Sequence, residues 1–242
     1  MAQPLNEFLR SLSTSDFALL GALLKPASMA SGDVLAEAGT PLQTVYFPES
    51  GMISVVLELA SGDRIETGLV GRTGMLGAAA AFGSMTHISS VIVQMPGSAY
   101  VMKATELLEA ARRSESLRQA LFKQEQFMLM QAQQTSACNA KHQIPQRLST
   151  WLLRVRDISE QEDLSLTQEF LAQMLGVQRA SISLVAGTFQ DAGIIRYRRG
   201  QVRITDVGKL EQTACECYAS LRNARLLMST SKDEEIAATQ TE

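Results

Sequence analysis

Near Lys103 the residue pattern of this chain changes from short β-prone runs to a long helical periodicity. Before that point, runs rich in β-branched and aromatic residues alternate with glycine-containing turns at a spacing typical of antiparallel strands. Two short helices, separated by a capping stretch at 11–16, are expected before the first strand. The sequence thus predicts an antiparallel barrel or roll, with strands near 34–35, 44–47, 53–59, 65–70, 90–94 and 99–102.

A long helix is predicted after the roll. The segment 116–140 contains no glycine or proline, and apolar positions keep close to a three-and-four spacing. A helix of this length extends about 37 Å, so a second copy of the chain is the expected partner for its stripe. A long helix packed only within its own chain is the alternative. The stripe consists of Leu107, Leu108, Leu117, Leu121, Met128, Gln131, Thr135 and Cys138.

The most informative stretch spans residues 165–189. Ser165 or Thr167 can cap a first helix with its hydroxyl group. Gly176 supplies the positive φ of a tight turn, and Ile182 and Val185 continue the apolar stripe on a second short helix. A helix, a glycine turn and an amphipathic helix in about 20 residues predict a helix-turn-helix unit, whose second helix enters the major groove of DNA.

Basic side chains accompany this unit. Residues 178–204 contain five arginines and a single acid, Asp191, although the whole chain has a net charge of −3. Residues 192–204 alternate apolar and basic residues around a glycine, which predicts a β-hairpin wing along the phosphate backbone. A wing that docks another protein is the alternative. Gln178, Arg179, Ser181 and Ser183 are predicted to face base edges, and Thr167, Arg198, Arg199 and Arg203 to contact phosphates.

Composition disfavours other classes of function. The chain is 45% hydrophobic and 19% charged, as expected of a protein with a core, and no apolar run approaches the roughly 20 residues that span a bilayer. Its first residues lack a secretion signal, so we expect a cytoplasmic protein without a membrane partner. The chain has two histidines and no grouping of nucleophile and base, so no enzyme activity is predicted.

The three cysteines, Cys138, Cys215 and Cys217, fit neither a disulfide framework nor a spaced zinc motif. On one helix, Cys215 and Cys217 would point about 200° apart. We therefore expect ordinary thiols and no metal site, with metal binding as the minor alternative.

The sequence resembles the Crp/Fnr family of dimeric regulators over roughly residues 23–218. The resemblance implies an antiparallel β-roll of the double-stranded β-helix or jelly-roll type that receives a ligand, a long dimerisation helix and a winged helix-turn-helix that reads a palindromic site. It rests on the roll-like segments 32–35, 39, 45–51 and 71–77 and on the DNA-reading segments 167–169, 176–177 and 179–185.

Departures from the family pattern limit what is carried over. Relatives that bind cyclic nucleotides have a glutamate after the glycine matched by Gly77 and an arginine for the phosphate, whereas this chain continues with four alanines and has no arginine in 86–90. Burying a cyclic phosphate without a cation is costly, so cyclic AMP or GMP is not the expected effector. Three scattered cysteines do not suit an iron-sulfur cluster, and haem bound by His87 or His142 is a minor alternative. Arg179-Ala180 and Leu184 differ from the recognition helix of many relatives.

The sequence predicts four segments: a cyclic-nucleotide-binding-like sensor roll at 1–115, a dimerisation helix at 116–140, a winged helix-turn-helix domain at 141–228 and a disordered tail at 229–242. It predicts a homodimeric transcription regulator of double-stranded DNA whose roll senses an unidentified small molecule, with RNA polymerase as a candidate partner. A constitutive regulator with a ligand-free roll and a protein-docking scaffold are the alternatives.

Overall fold

The protein is described by a computed structural model for residues 3–83 and 86–239, and from residue 229 onwards only by its backbone. The predicted pair of short N-terminal helices is confirmed, and the Ser13 hydroxyl caps the second one by accepting a hydrogen bond from the Asp16 amide. The N-terminal half then forms the predicted roll. Its elements are α1 (Glu7–Ser11), α2 (Thr14–Gly21), β1 (Lys25–Met29), β2 (Val34–Ala36), β3 (Thr44–Pro48), β4 (Met52–Glu58), β5 (Arg64–Val70), a 3₁₀ turn (Ala78–Phe82), β6 (Ser90–Met95) and β7 (Gly97–Lys103).

Two antiparallel sheets make up the roll. One has the strand order β1-β7-β3 and the other the order β2-β6-β4-β5. β1 was not among the predicted strands, and it contains Pro26, which has no amide donor. The structure places β1 at the edge of its sheet, where a proline is tolerated.

The helical part begins with α3 (Ala104–Arg113) and α4 (Glu115–Lys141), so the long helix is confirmed. The prediction that its apolar stripe faces a second copy is wrong. Leu117, Leu121, Gln131 and Cys138 are buried within their own chain, because α4 packs against β5, the 3₁₀ turn and the last helix. The outward face carries a different set of residues, described below.

The C-terminal part is a winged helix-turn-helix domain, as predicted. Pro145 lies in the first turn of its first helix, where the missing amide costs no helical hydrogen bond. A short strand follows the first helix of this domain and pairs with the wing. The elements are α5 (Ile144–Ser159), β8 (Asp163–Ser165), α6 (Gln168–Leu175), α7 (Arg179–Asp191), β9 (Ile195–Arg198), β10 (Gln201–Ile204), α8 (Val207–Thr213) and α9 (Cys217–Thr239).

The sequence predicts one last helix over about 207–228, but the structure has two, α8 and α9. The chain leaves the helical path between Thr213 and Cys217, where the Cys215 amide donates to the Thr150 hydroxyl at 3.3 Å and the Cys215 side chain is buried. α9 then continues to Thr239, past the boundary predicted at 228, through a segment without glycine or proline. Residues 240–242 of the predicted tail lie outside the described residues.

The two halves share one apolar core. Met52, Val56 and Leu69 of the roll pack in the same cluster as Trp151 and the buried faces of α5, α6 and α7. The Trp151 indole also donates to the Glu66 carboxyl group of β5 at 2.9 Å. The winged helix-turn-helix domain therefore packs on β5. None of the helices in the described part of the chain combines the length and apolarity that crossing a bilayer requires.

Candidate nucleic-acid interface

α6 is fixed at both ends by its sequence. The Thr167 hydroxyl accepts a hydrogen bond from the Phe170 amide at 3.1 Å and so caps its N-terminus. Gly176 ends it with a φ of +59°, and the Val177 amide reaches back to the Ala172 carbonyl at 2.9 Å, as in a Schellman cap. This turn sets the direction in which α7 begins.

α7 buries one face and exposes the other. Ile182, Val185, Ala186 and Phe189 pack into the core, so the helix has a fixed rotation about its axis. The opposite face carries the predicted base-facing residues: Gln178, Arg179 and Ser183 are exposed, and Ser181 is half-buried.

Arg179 stands at the first position of α7 with 67% of its side chain exposed. Its Nε atom lies 4.0 Å from a Glu169 carboxylate oxygen, which is a long ion pair in an exposed place. Its guanidinium group is therefore available to an outside partner. The Ser183 hydroxyl group is less available to a partner, because it donates to the side chain of Gln168 at 2.5 Å.

The wing is a tight hairpin held against the helices. Arg199 and Gly200 both have positive φ, at +48° and +78°, as a two-residue type I′ turn requires. Tyr197 fastens the hairpin, because its hydroxyl donates to the Leu166 carbonyl and its amide donates to the Gln190 side chain, both at 2.9 Å. Arg198 and Arg199 are exposed at the tip, and Gly200 lies beside the Thr167 methyl group.

Arg203 differs from the other predicted phosphate contacts. It is paired in register with Asp163 on β8, and its guanidinium Nε donates to the carboxylate at 2.6 Å. This hydrogen bond holds the pKa of Asp163 below its usual value. The structure therefore gives Arg203 an acidic partner that sequence reasoning missed, because the partner is 40 residues away.

Two exposed residues on this surface were also missed. Leu184 on α7 has 74% of its surface exposed, next to the predicted base-facing side chains. Arg196 lies two residues before Arg198 on β9, so the alternation of a strand puts both on one face. The exposure of Arg196 could therefore have been predicted from this alternation in the sequence.

A second site lies inside the roll. A cavity of about 450 Å³ opens between the sheet, the 3₁₀ turn and α4, and its walls are mainly apolar. The Glu125 carboxylate accepts a hydrogen bond from the Ala79 amide at 2.9 Å, and burial raises its pKa. The His87 Nε2 atom is buried without a hydrogen-bond partner among the described residues, while its Nδ1 atom lies 2.6 Å from the Ser89 carbonyl.

The cysteines do not lie as the sequence predicted. Because the helix is interrupted between α8 and α9, Cys215 and Cys217 do not share a helix. Both converge with Cys138 and His142, and one ligand atom of each lies within 4.8 Å of the others. Burial, followed by hydrogen bonding to Cys215, raises the pKa of Cys138. His87 lines the roll cavity instead, so the two histidines belong to different sites.

Comparison with known proteins agrees with this geometry. A model of the Crp-like helix-turn-helix domain matches residues 146–213, and one of the cyclic nucleotide-binding domain matches residues 26–114. The transcriptional regulatory protein btr of Bordetella pertussis is 25% identical over 194 residues, covering 75% of this chain and 77% of the relative.

Two solved structures share the fold. FixK2 from Bradyrhizobium japonicum is 16% identical, with a TM-score of 0.69, and the match covers 79% of this chain and 98% of that one. The c-di-GMP-responsive regulator CLP of Xanthomonas campestris is 17% identical, with a TM-score of 0.66, and the match covers 80% and 100% of the two chains.

The fold and its exposed basic unit define a class: two-domain transcription regulators that join a cyclic-nucleotide-binding-like roll to a winged helix-turn-helix. Within that class, the chain belongs to the Crp/Fnr family. Members of this family are transcription regulators and not enzymes, in line with the sequence prediction.

Proposed function

We propose that this protein binds specific palindromic sites in double-stranded DNA as a homodimer, with α7 in the major groove. The observation that carries the proposal is the exposed guanidinium group of Arg179 at the start of α7, beside the exposed arginines of the wing. An arginine at this place can donate two parallel hydrogen bonds to guanine, and the wing arginines can follow the phosphates.

The outward face of α4 supports the homodimer. Phe122 and Leu129 lie seven residues apart, so they share one side of the helix, and they are 53% and 58% exposed. No charged residue occurs from 126 to 140, which is unusual for a helix face that stays in water. A second α4 packed against this face would bury both side chains. The dimer contact is thus proposed on residues other than the predicted stripe.

The roll cavity supports an effector that is not a cyclic nucleotide. Among its described lining residues there is no arginine or lysine to neutralise a phosphate, and Glu125 contributes an acid. The apolar walls and the His87 Nε2 atom, which has no hydrogen-bond partner among the described residues, suit a small apolar molecule with one hydrogen-bond donor. The cavity favours this effector-responsive regulator over a constitutive one with a ligand-free roll.

Two residues of α4, Glu125 and Gln131, couple effector binding in the cavity to the position of the DNA-binding domain. Glu125 lines the cavity, and the Gln131 side chain, less than two turns further on, accepts from the Leu69 amide and donates to the Leu69 carbonyl, each at 3.1 Å. Arg154 of α5 also donates to Gln131. A ligand that displaces α4 would thereby change how α5 sits on the roll. Where the bound dimer activates transcription, RNA polymerase is the further partner.

Binding to random duplex DNA tests the proposal against a protein-docking scaffold. We expect the dissociation constant, measured by fluorescence anisotropy, to rise steeply between 50 and 200 mM salt, because wing arginines release counterions from the phosphates. Absence of binding at low salt, or binding that does not change with salt, would favour the scaffold.

A further inference from the structure

Four potential metal ligands meet where the long helix ends. Cys138 lies in the last turn of α4 and His142 directly follows this helix, while Cys215 and Cys217 lie at the junction of α8 and α9. The Cys138 and Cys215 sulfur atoms are 3.5 Å apart, as are the Cys217 sulfur and the His142 Nδ1 atom. All four ligand atoms lie within 4.8 Å of one another.

These distances suit one tetrahedral ion. Zinc binds thiolate sulfur at about 2.3 Å and imidazole nitrogen at about 2.0–2.1 Å, which places neighbouring ligand atoms about 3.5–3.8 Å apart. Three cysteines and one histidine form a closed structural zinc set. An iron-sulfur cluster inserts several atoms between its ligands and therefore needs cysteines that are farther apart.

The surrounding side chains hold the four groups in place. The His142 Nε2 atom lies 3.2 Å from the Glu216 carboxylate, an arrangement that leaves Nδ1 to face the sulfur atoms. A carboxylate in this position orients a metal-binding histidine and strengthens it as a ligand. The Gln134 amide donates to the Cys217 sulfur at 3.0 Å, and the Thr150 hydroxyl lies 3.1 Å from the Cys215 sulfur.

The charged residues around the four ligands also suit a bound zinc ion. Zinc with three thiolates and one neutral histidine carries a net charge of −1. Arg147 and Arg154 are close enough to interact electrostatically with the cysteines, and both lie at the edge of a small cleft that Cys138 and Cys217 also line. These guanidinium groups would balance a bound zinc-thiolate centre.

We propose that Cys138, His142, Cys215 and Cys217 bind one Zn²⁺ ion. The ion joins the end of α4 to the α8–α9 junction, and so fixes the DNA-binding domain to the helix that carries the proposed dimer contact. The competing outcome is a disulfide between Cys138 and Cys215, whose sulfur atoms would have to approach from 3.5 Å to about 2.05 Å.

Metal analysis and cobalt substitution of the full-length protein test this site. We expect protein purified under reducing conditions without chelator to contain about one zinc per chain by mass spectrometry. After removal of zinc, Co²⁺ should bind at the same ratio and give the visible absorption bands of a tetrahedral thiolate site. Zn²⁺ added afterwards should abolish these bands.

The chain offers a matched control, because it has only two histidines. His142→Gln should lose the thiolate–nitrogen cobalt spectrum of the wild type, whereas His87→Gln should keep it. Glu216→Gln should keep the spectrum but weaken the apparent metal affinity about 10- to 100-fold. The wild-type cobalt spectrum tests the site without any substitution. A variant that fails to fold therefore leaves that test intact.

Three outcomes would overturn the proposal. The first is wild-type protein that binds neither zinc nor cobalt, and the second is a cobalt spectrum typical of octahedral coordination by oxygen. The third is a metal-free protein in which mass spectrometry of peptides finds Cys138 and Cys215 joined by a disulfide under the same reducing conditions. None of these readouts involves DNA, so they are independent of the proposed operator binding.

Discussion

Arg179 and Arg198 both present exposed guanidinium groups, but they stand at different places relative to a DNA duplex. Arg179 begins the helix that would enter the groove, so Arg179→Ala should weaken binding to the specific site by about 1–3 kcal/mol, roughly 5- to 150-fold, and relax specificity at one base pair. Anisotropy titrations on specific and random duplexes measure this. Arg112→Ala, an exposed arginine on α3, is the control and should bind as the wild type does.

Arg198 on the wing should contribute equally to the binding of every DNA sequence. Arg198→Ala is expected to weaken specific and random DNA alike and to reduce the slope of log affinity against log salt by about 1. Arg203→Ala should have a smaller effect, because Asp163 already pairs with this side chain. If Arg198→Ala and Arg203→Ala weakened DNA binding equally in the same salt titration, this would contradict the expectation that the ion pair with Asp163 limits the contact of Arg203 with phosphates.

Glu66 makes stability depend on pH. Burial raises the pKa of its carboxyl group to about 7 from an ordinary 4.5, against the opposing effects of Arg154 and the hydrogen bonds from Ser54 and Trp151. The folded protein thus keeps a proton that the unfolded chain has lost, so stability is greatest at the acid end and falls as pH rises from about 4.5 to 7, by up to about 3 kcal/mol.

Glu66→Gln should flatten this dependence. Urea unfolding followed by the fluorescence of Trp151, the only tryptophan, measures it at pH 5, 6 and 7. Glu58→Gln on the same hairpin is the control, because Glu58 is exposed, and its profile should run parallel to that of the wild type. A wild-type profile that rises over this range would contradict the raised pKa.

Sequence alone predicted the helix-turn-helix and the exposure of Gln178, Arg179 and Ser183, because a glycine turn and helical periodicity are local signals. It did not predict how Cys215 and Cys217 converge. Their spacing argues against a shared ligand only on one continuous helix. The helix is interrupted between them, where the Cys215 amide donates to Thr150, 65 residues away. The spacing of Cys138 and His142, one helical turn apart, was a signal that could have been used.

At the scale of elements, α4 illustrates what periodicity can and cannot predict. The sequence predicts its length and an apolar stripe, but not which surface covers the stripe. In the folded chain, β5 and α9 cover it, and the weaker pattern of Phe122 and Leu129 is left outside. A stripe rich enough to be seen in a sequence is often the one that its own chain buries.

The outward face of α4 should set the oligomeric state. Phe122→Glu would place a charge in the proposed dimer contact, so we expect a monomer of 26.3 kDa where the wild type has about twice that mass. Light scattering coupled to size-exclusion chromatography measures the mass. Leu59→Glu, a change at another exposed apolar residue far along the chain, should remain dimeric. A monomeric wild type would contradict the proposed contact.

At the scale of the whole molecule, the roll and the DNA-binding domain share one core, and Glu66, Gln131 and Arg154 connect β5, α4 and α5 through polar contacts. The two domains were predictable from local patterns, but this connection was not, because each contact joins segments distant in sequence. Signals from the cavity and from the cysteine cluster would both act on α4.

The cavity should not bind cyclic nucleotides. Isothermal titration calorimetry with cyclic AMP and cyclic GMP is expected to give no heat of binding at micromolar concentrations, because no described lining residue offers the phosphate a cation. Micromolar affinity for either nucleotide would show that the cavity recognises the phosphate by other means.

Selection of bound sequences from a random DNA library, followed by methylation interference on the selected site, tests the central claim most directly. The account predicts a palindromic site with two patches of essential guanines in the major groove, centred about 34–36 Å apart, and loss of those patches with Arg179→Ala. Selected sequences without two-fold symmetry, or interference that is unchanged by Arg179→Ala, would contradict it.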